Sequence, residues 1–358
     1  MSDKTAIEWT DASANVINGC SLASPGCTNC YAMRLAGTRM RNHPTRAGLA
    51  VDSKAGPVWT GEVRFHEPAL QQVLRWQRPR MIFWNAHGDI FHPNVPDAWI
   101  DRCFAAMALT PQHIHQVLTK RSERMREYMS RACGRIMDAI IKMRRERGDL
   151  SPVALPHVPI GDVWWPLPNV WLGVSTEDQQ RADERIPDLL ATPAAVRWIS
   201  AEPLLGPIDL TNITGAEKSR EYGSPVHGWS SIWRNNGVGR PWIDWVVVGG
   251  ESGPHARPMH PDWARSLRDQ CAAASVPFFH NQNGEWRPSY GAPAGTTGHY
   301  AMMARDPDGW TYKHPVLLDH YPRQFDAFGS IVLERVGKRA AGRLLDGVGH
   351  NGFPEVRS

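Results

Sequence analysis

Short runs of β-branched and aromatic residues recur along this chain, each closing on polar residues and leading into a stretch with helical spacing. The runs are 62–65, 81–85, 114–119, 170–175, 196–200, 245–249 and 277–280. Several are apolar without alternation, as strands buried on both faces are. Strands alternating with helices predict βαβ units and a parallel sheet. One more short strand is expected at 15–17. A helix is expected from Tyr31, with Ala32, Leu35, Ala36 and Met40 on one side. The fold class is therefore α/β. The expected form is a parallel (β/α) barrel, either partial with six strands or near-complete and TIM-like with about eight.

Two stretches interrupt this rhythm. Residues 123–165 begin with a basic helical run, which fits a solvated face or a phosphate backbone. Residues 211–243 are rich in Gly, Ser, Asn and Trp and read as an inserted loop. The barrel is expected to span 1–285. Residues 286–358 form a C-terminal extension, irregular or short-stranded at first and ending in a basic amphipathic helix at 335–346.

Composition changes this picture little. At 358 residues with 42% apolar content the chain can bury a large core. No run approaches a membrane span, and the first residues lack a signal-peptide core. The expected setting is cytoplasmic, with reduced cysteines. A net charge of +4 permits a nucleic-acid partner without demanding one. Sixteen tryptophans are many; core packing accounts for most of them and a substrate groove for some.

In parallel α/β folds the chemistry gathers at the C-terminal ends of the strands. Here those ends carry Asn85, His87 and Asp89, then Lys120 and Arg121, then Ser175 to Asp178. Later ones carry Glu202, then Gly249, Gly250 and Glu251, and last His280, Asn281 and Gln282. Any one of these could cap a helix. Together they predict an active-site rim.

Half of the cysteines fall in one loop, as Cys20, Cys27 and Cys30. The loop is expected between a strand and a helix, with Cys30 at the helix N-terminus, where the dipole favours thiolate. Three readings fit the spacing. Three thiolates can hold an iron–sulfur cluster with one iron open to another ligand. With His43 or His66 they would make a structural zinc site, as in a zinc-stapled DNA-binding protein. Cys27 and Cys30 alone could be a redox pair. A separate possibility is a metal-dependent hydrolase or nuclease built on Asp89, Glu202 and Glu251. Cys103, Cys133 and Cys271 read as isolated thiols.

The chain resembles a phage and prophage three-Cys-motif family regarded as radical-SAM-like. The resemblance rests on Ile7-Glu-Trp-Thr-Asp11, Asn18-Gly-Cys20, Ser24-Pro-Gly-Cys27-Thr-Asn-Cys30, Gly88-Asp-Ile-Phe-His-Pro93 and Gln116-Val-Leu-Thr-Lys-Arg121. It continues through Pro168-Asn-Val-Trp-Leu-Gly-Val-Ser175, Ser200-Ala-Glu-Pro-Leu-Leu-Gly206, Val248-Gly-Gly-Glu-Ser-Gly-Pro254 and the tail from Val336 to Asp346. The chain departs from the pattern at 84–87 and at 279–284. The cysteine spacing is also longer than is usual in radical-SAM enzymes.

The resemblance implies a radical-SAM-type barrel whose Cys20, Cys27 and Cys30 ligate a [4Fe–4S] cluster. S-adenosylmethionine would bind the open iron, and its reductive cleavage would give a 5′-deoxyadenosyl radical. Asp89, Ser175 and Glu202 would contact the cofactor. The run Gly249, Gly250 and Glu251 would face either the cofactor or the substrate. Lys120 and Arg121 would meet an anionic group. Asn85, His87, Arg121, His280, Asn281 and Gln282 would read the substrate, with Lys120, Glu202 and His280 as catalytic candidates. The implied partners are DNA or a nucleotide, an external reductant of flavodoxin or ferredoxin type, and a possible partner protein. If phage-encoded, the protein would act in the host cytoplasm. Isomerisation of a modified thymine side chain is one reaction of this kind, on a base flipped from its helix.

Overall fold

The computed structural model describes residues 5–149, 165–214, 242–289, 291–304, 315–322 and 330–355. The larger part of the expected insertion at 211–243, and the end of the one at 123–165, lie outside the described residues.

Seven parallel strands form one curled sheet in strict chain order: β1 (Ala12–Ala14), β2 (Met81–Trp84), β3 (Ile114–Thr119), β4 (Val170–Ser175), β5 (Val196–Ala201), β6 (Trp245–Gly249) and β7 (Phe278–Gln282). Each strand pairs with the one before it, so every crossover winds the same way around a half-barrel. Helices follow most strands: α1 (Tyr31–Gly37), α2 (Glu67–Val73), α3 (Asp97–Ala108), α4 (Ser122–Met129), α5 (Cys133–Glu146), α6 (Gln179–Ala191) and α7 (Pro261–Ala274). The alternation of apolar runs thus yields a partial barrel. The expected strand at 62–65 is the exception. Only Arg64–Phe65 extends, and it pairs antiparallel with Ile17–Asn18 outside the barrel. Two residues are too short to span the sheet, so they pair instead with the equally short stretch after β1.

The two faces of the sheet differ. Outward residues such as Ile82, Trp84, Val117, Leu172, Val174, Val246 and Val248 join the helices in the main core. Inward residues build a separate aromatic plug from Trp9, Phe83, Trp171, Trp198, Trp245 and Phe279. Trp9 meets Phe83 edge-on at 4.8 Å and Trp198 at 5.2 Å. These residues lie toward the strands' N-terminal ends, so the interior is filled below and polar above. Gly173 makes room for the plug, because a Cβ there would come within 2.5 Å of the Trp198 ring.

The sheet has two free edges, β1 and β7, and the end of the chain lies along one of them. His280 donates its N–H to the His350 carbonyl, and Gly352 donates to the Phe278 carbonyl. Phe353 then packs on Trp245 at 5.2 Å. Arg343 reaches the His280 carbonyl on this edge and pairs with Glu8, ahead of β1, at 2.5 Å. The C-terminal segment thereby blunts an edge that could otherwise pair with another chain.

Before that segment, Trp286–Pro288, Ile331–Arg335, Thr297–Met303 and Val316–His320 form an antiparallel sheet in that spatial order. The expected helix at 335–346 shrinks to Lys338–Ala341. Gly337 and Gly342 flank it with φ of 87° and 68°, conformations a helix cannot continue through. Among the described residues no helix is long and apolar enough to cross a membrane.

Filling the space at Gly173 tests the plug. Gly173→Ala should overpack the Trp198 ring and lower stability by about 1–3 kcal/mol, read as a lower urea midpoint at unchanged slope. An unchanged midpoint would show that the indole is not wedged there.

Candidate functional site

The cysteine loop crosses the C-terminal mouth of the half-barrel. A 3₁₀ turn, Pro25–Cys27, sits between the first and last thiols, and Cys30 directly precedes α1. All three are free thiols. Cys20 and Cys30 pack against a small core of Ala32, Met33, Ala36, Leu49 and Trp59. Burial pushes the Cys20 thiol up to about 12, Asp89 adds to this, and Arg121 opposes it. Burial likewise raises Cys30, against a hydrogen bond from the Met33 backbone.

Three carboxylates tie this loop to the barrel, one each from the ends of β2, β4 and β6. The first is Asp89. It accepts from the Thr119 hydroxyl at 2.7 Å, the Lys120 N–H at 3.1 Å and the Arg121 guanidinium at 3.3 Å. Arg121 then donates to the Ser21 carbonyl at 2.8 Å, beside Cys20. The Ser21 hydroxyl also contacts His92 Nε2 at 2.9 Å.

The second carboxylate is Glu177, whose side chain is wholly buried. It pairs with Lys120 and with Arg185, the latter at 3.1 Å, and accepts from the Ser24 hydroxyl at 2.8 Å. The loop can approach so closely because residue 26 is glycine: a Cβ there would stand 2.5 Å from the Glu177 carboxylate. Burial alone would raise this carboxyl. Lys120 and Arg185 outweigh it and, with the hydrogen bonds from Lys120 and Ser24, hold it below its ordinary range.

Glu251 is the third. Arg257 grips it with Nε at 2.9 Å and a terminal nitrogen at 2.5 Å, and Asn29 donates to it at 2.8 Å. Arg257 also reaches the Pro25 carbonyl at 2.9 Å. Glu251 therefore anchors the stretch of loop that holds Cys27 and Cys30.

Glu202 differs from these three. Its carboxylate accepts from Asn281 at 2.6 Å and from the Ser200 hydroxyl at 3.3 Å, and no ion pair joins it to a cation among the described residues. Burial raises its pKa, against those hydrogen bonds. Gly249 gives it space, since a Cβ there would meet its Oε1 at 2.3 Å. Gly250 in turn passes close to the Asn283 backbone. Tyr31, half exposed, lies within electrostatic reach of both Cys30 and Glu202 and donates its hydroxyl to the Ala86 carbonyl at 2.7 Å. Among the described residues the buried oxygens Gln116 Oε1 and Gln282 Oε1 have no hydrogen-bond partner.

The remaining expected residues take other positions. Ser175 is buried at the end of β4, and its carbonyl accepts from Arg185 at 2.7 Å. Asp178, not Ser175, caps α6. Asn85 adopts φ of 58° and accepts the Ile17 N–H at 2.8 Å, a turn role. His87 faces Tyr31 edge-on at 6.2 Å, and burial and Arg46 lower its pKa to about 4. His280 stacks under Phe278 on the outer face of β7 and binds Asn283 at 2.9 Å. A bulge between Val248 and Gly249 shifts the register there, and Asn281 turns to Glu202 on the inner side.

The loop, Asp89, Lys120, Arg121 and Glu251 are thus brought together, as are Glu202, Gly249 and Asn281. His280 is not part of either group. Glu177, Ser24, Asn29, Arg185 and Arg257 were not singled out from the sequence. The one available signal was the Ser175–Asp178 run itself, which contains Glu177.

Among the described residues no group of three or more His, Cys, Asp or Glu is arranged to hold a metal ion. Neither His43 nor His66 joins the cysteines in one, and the carboxylates of Asp89, Glu202 and Glu251 have separate partners. The donor chemistry of the three thiols does fit a cluster. They are free and on one loop, and Cys27 adds to the rise of both Cys20 and Cys30. Burial disfavours an isolated thiolate there, so a bound metal would be what stabilises the deprotonated form.

An open parallel barrel with a three-cysteine loop tied across its mouth is the class that fold and site define. The chain belongs to a family of proteins of unknown function, DUF5131, whose model matches residues 4–354. No curated protein and no solved structure matches it.

Glu177→Gln should leave Lys120 and Arg185 facing each other without an anion. The expected loss is about 3–5 kcal/mol near neutral pH. Because the folded carboxyl lies below its unfolded value of about 4.3, its contribution is complete above that pH. It disappears as pH falls through the folded value. Denaturation midpoints followed from pH 7 downward should converge for wild type and variant; a constant gap would rule out the linkage.

Proposed function

We propose that the protein is a radical-SAM enzyme acting on a nucleic-acid base. The observation that carries this reading is the cysteine loop across the C-terminal mouth of a parallel half-barrel, held by three carboxylates on alternate strands. A site built there opens into a polar interior above an aromatic plug, which keeps water from entering below. Cys20, Cys27 and Cys30 would hold a [4Fe–4S] cluster and leave one iron open. When bound, such a cluster would supply the one electron that splits S-adenosylmethionine into methionine and a 5′-deoxyadenosyl radical.

The chain's own residues have distinct duties in this reading. Asp89, Glu177 and Glu251 fix the loop. Glu202, with its raised pKa and its contacts to Asn281 and Ser200, presents a hydrogen-bonding carboxyl to the cofactor's polar atoms. Tyr31 offers an open ring beside it on which a base could stack. The substrate fitting this arrangement is a base of DNA or of a nucleotide, rearranged at a modified side chain, as in phage DNA hypermodification. The electron would come from an external reductant of flavodoxin or ferredoxin type, in the cytoplasm.

Anaerobic reconstitution with iron and sulfide tests this directly. We expect the visible absorbance of a thiolate-ligated cluster, and 5′-deoxyadenosine from S-adenosylmethionine under reductant. Cys27→Ala should abolish both. A colourless protein holding one zinc would sink the proposal, and a cluster that never cleaves S-adenosylmethionine would remove the mechanism.

A further inference from the structure

Most cations at the mouth are neutralised. Lys120, Arg121 and Arg257 each hold a carboxylate. Arg46 does not. It is only 5% exposed, and among the described residues its hydrogen-bond partners are all neutral: the Thr45 carbonyl at 3.3 Å, the Thr45 hydroxyl at 2.9 Å and His87 Nδ1 at 2.5 Å. Nδ1 of His87 must be the acceptor, because a guanidinium only donates.

The neighbourhood adds more positive charge. Arg64 donates to the Pro44 and Ala47 carbonyls at 2.7 and 2.9 Å, and among the described residues it has no acidic partner either. Burial, and then Arg64, draw the Arg46 pKa down to about 10. Burial, and then Arg46, lower His66, and among the described residues neither Arg46 nor Arg64 is bonded to a carboxylate. Of the two acids in segment 39–66, Asp52 is bound to Arg41 and Glu62 is exposed.

An unpaired buried charge is costly and is normally paired or lost. A guanidinium kept charged and without an anion fits a site that receives one from outside. His43 is exposed and Arg64 and His66 are half-buried, so the basic side chains of this segment reach solvent. On its other side His87 connects Arg46 to the open ring of Tyr31, beside Cys30. We propose that Arg46, with Arg64 and His66, is an anion site that binds the phosphate of the substrate nucleotide while its base lies toward Tyr31. The site resembles other arginine-based phosphate sites in offering a planar fork of donors. The nucleotide assignment rests on the reading of the function given above; the anion site rests on the unpaired charge.

Binding can be measured on the full-length protein as purified, without added iron, sulfide or S-adenosylmethionine. A negative result then strikes this site alone, and a failed cluster reconstitution leaves it untouched. The probes are inorganic phosphate, thymidine, thymidine 5′-monophosphate and a short thymine-containing single strand. We expect the melting temperature to rise with the monophosphate or the strand and not with thymidine. Arg46→Met should weaken that binding roughly tenfold or more, the loss of one charge-assisted bond. It should also melt at or above the wild-type temperature, since it removes an unpaired buried charge; a structural arginine would give the opposite. Arg64→Gln, which lies nearer the surface, gives a second reading of the affinity if Arg46→Met does not fold. Equal affinities in the wild type and the variants, or no response to any phosphate probe, would overturn the site. A response to inorganic phosphate with no gain from the nucleotide or the strand would overturn its assignment to a nucleotide.

Discussion

The buried Glu177 carboxylate, held between Lys120 and Arg185 and bonded to Ser24, is the contact on which the geometry of the mouth depends. A carboxylate taken fully out of water is tolerated only when its charge and lone pairs are met. Here one partner comes from β3, one from α6 and one from the cysteine loop, so satisfying the charge also fixes three elements relative to one another. The absence of a side chain at Gly26 lets the loop come down onto the carboxylate. Asp89 and Glu251 repeat the device on the two neighbouring alternate strands, through Arg121 and Arg257. A loop without regular hydrogen bonding is thereby tied to all three carboxylate sites between Ser21 and Asn29, as a preorganised thiolate site requires.

The pairing of charges separates two kinds of polar residue at this mouth. Those with an opposite charge in contact, Asp89, Lys120, Arg121, Glu177 and Glu251, already have their electrostatic partners within the fold. Among the described residues Glu202 and Arg46 have no such charge in contact. They lie near the two ends of a path through Tyr31 and His87, with Cys30 beside it. The unpaired groups, rather than the most conspicuous ones, therefore mark where a ligand would complete the site.

Much of the fold was legible because parallel strands are apolar on both faces. Six of the seven barrel strands announced themselves as runs ending in polar residues. The seventh, Ala12–Ala14, is too short and too small-sided to do so, and the expected strand near it was displaced to 15–17. The run at 62–65 looked equivalent to the others because sequence shows local apolarity and not the length of partner available. The helix expected at 335–346 failed at Gly342, where helical periodicity outlasts the backbone's ability to follow it.

Side-chain direction was less legible than strand position. His280 and Asn281 are adjacent in a polar run, but strand alternation sends His280 outward under Phe278 and Asn281 inward to Glu202, beside the register shift at Gly249. By itself the sequence determined a parallel α/β sheet, a three-cysteine loop between strand and helix, and a polar rim, since these follow from hydrophobic periodicity and residue chemistry within short windows. Tertiary structure alone decided which rim charges neutralise one another. Glu177 meets Ser24 across 153 positions, and Arg46 meets His87 across 41. Coulombic pairing depends on distance in space, and no local pattern encodes which charge a fold will leave without a partner.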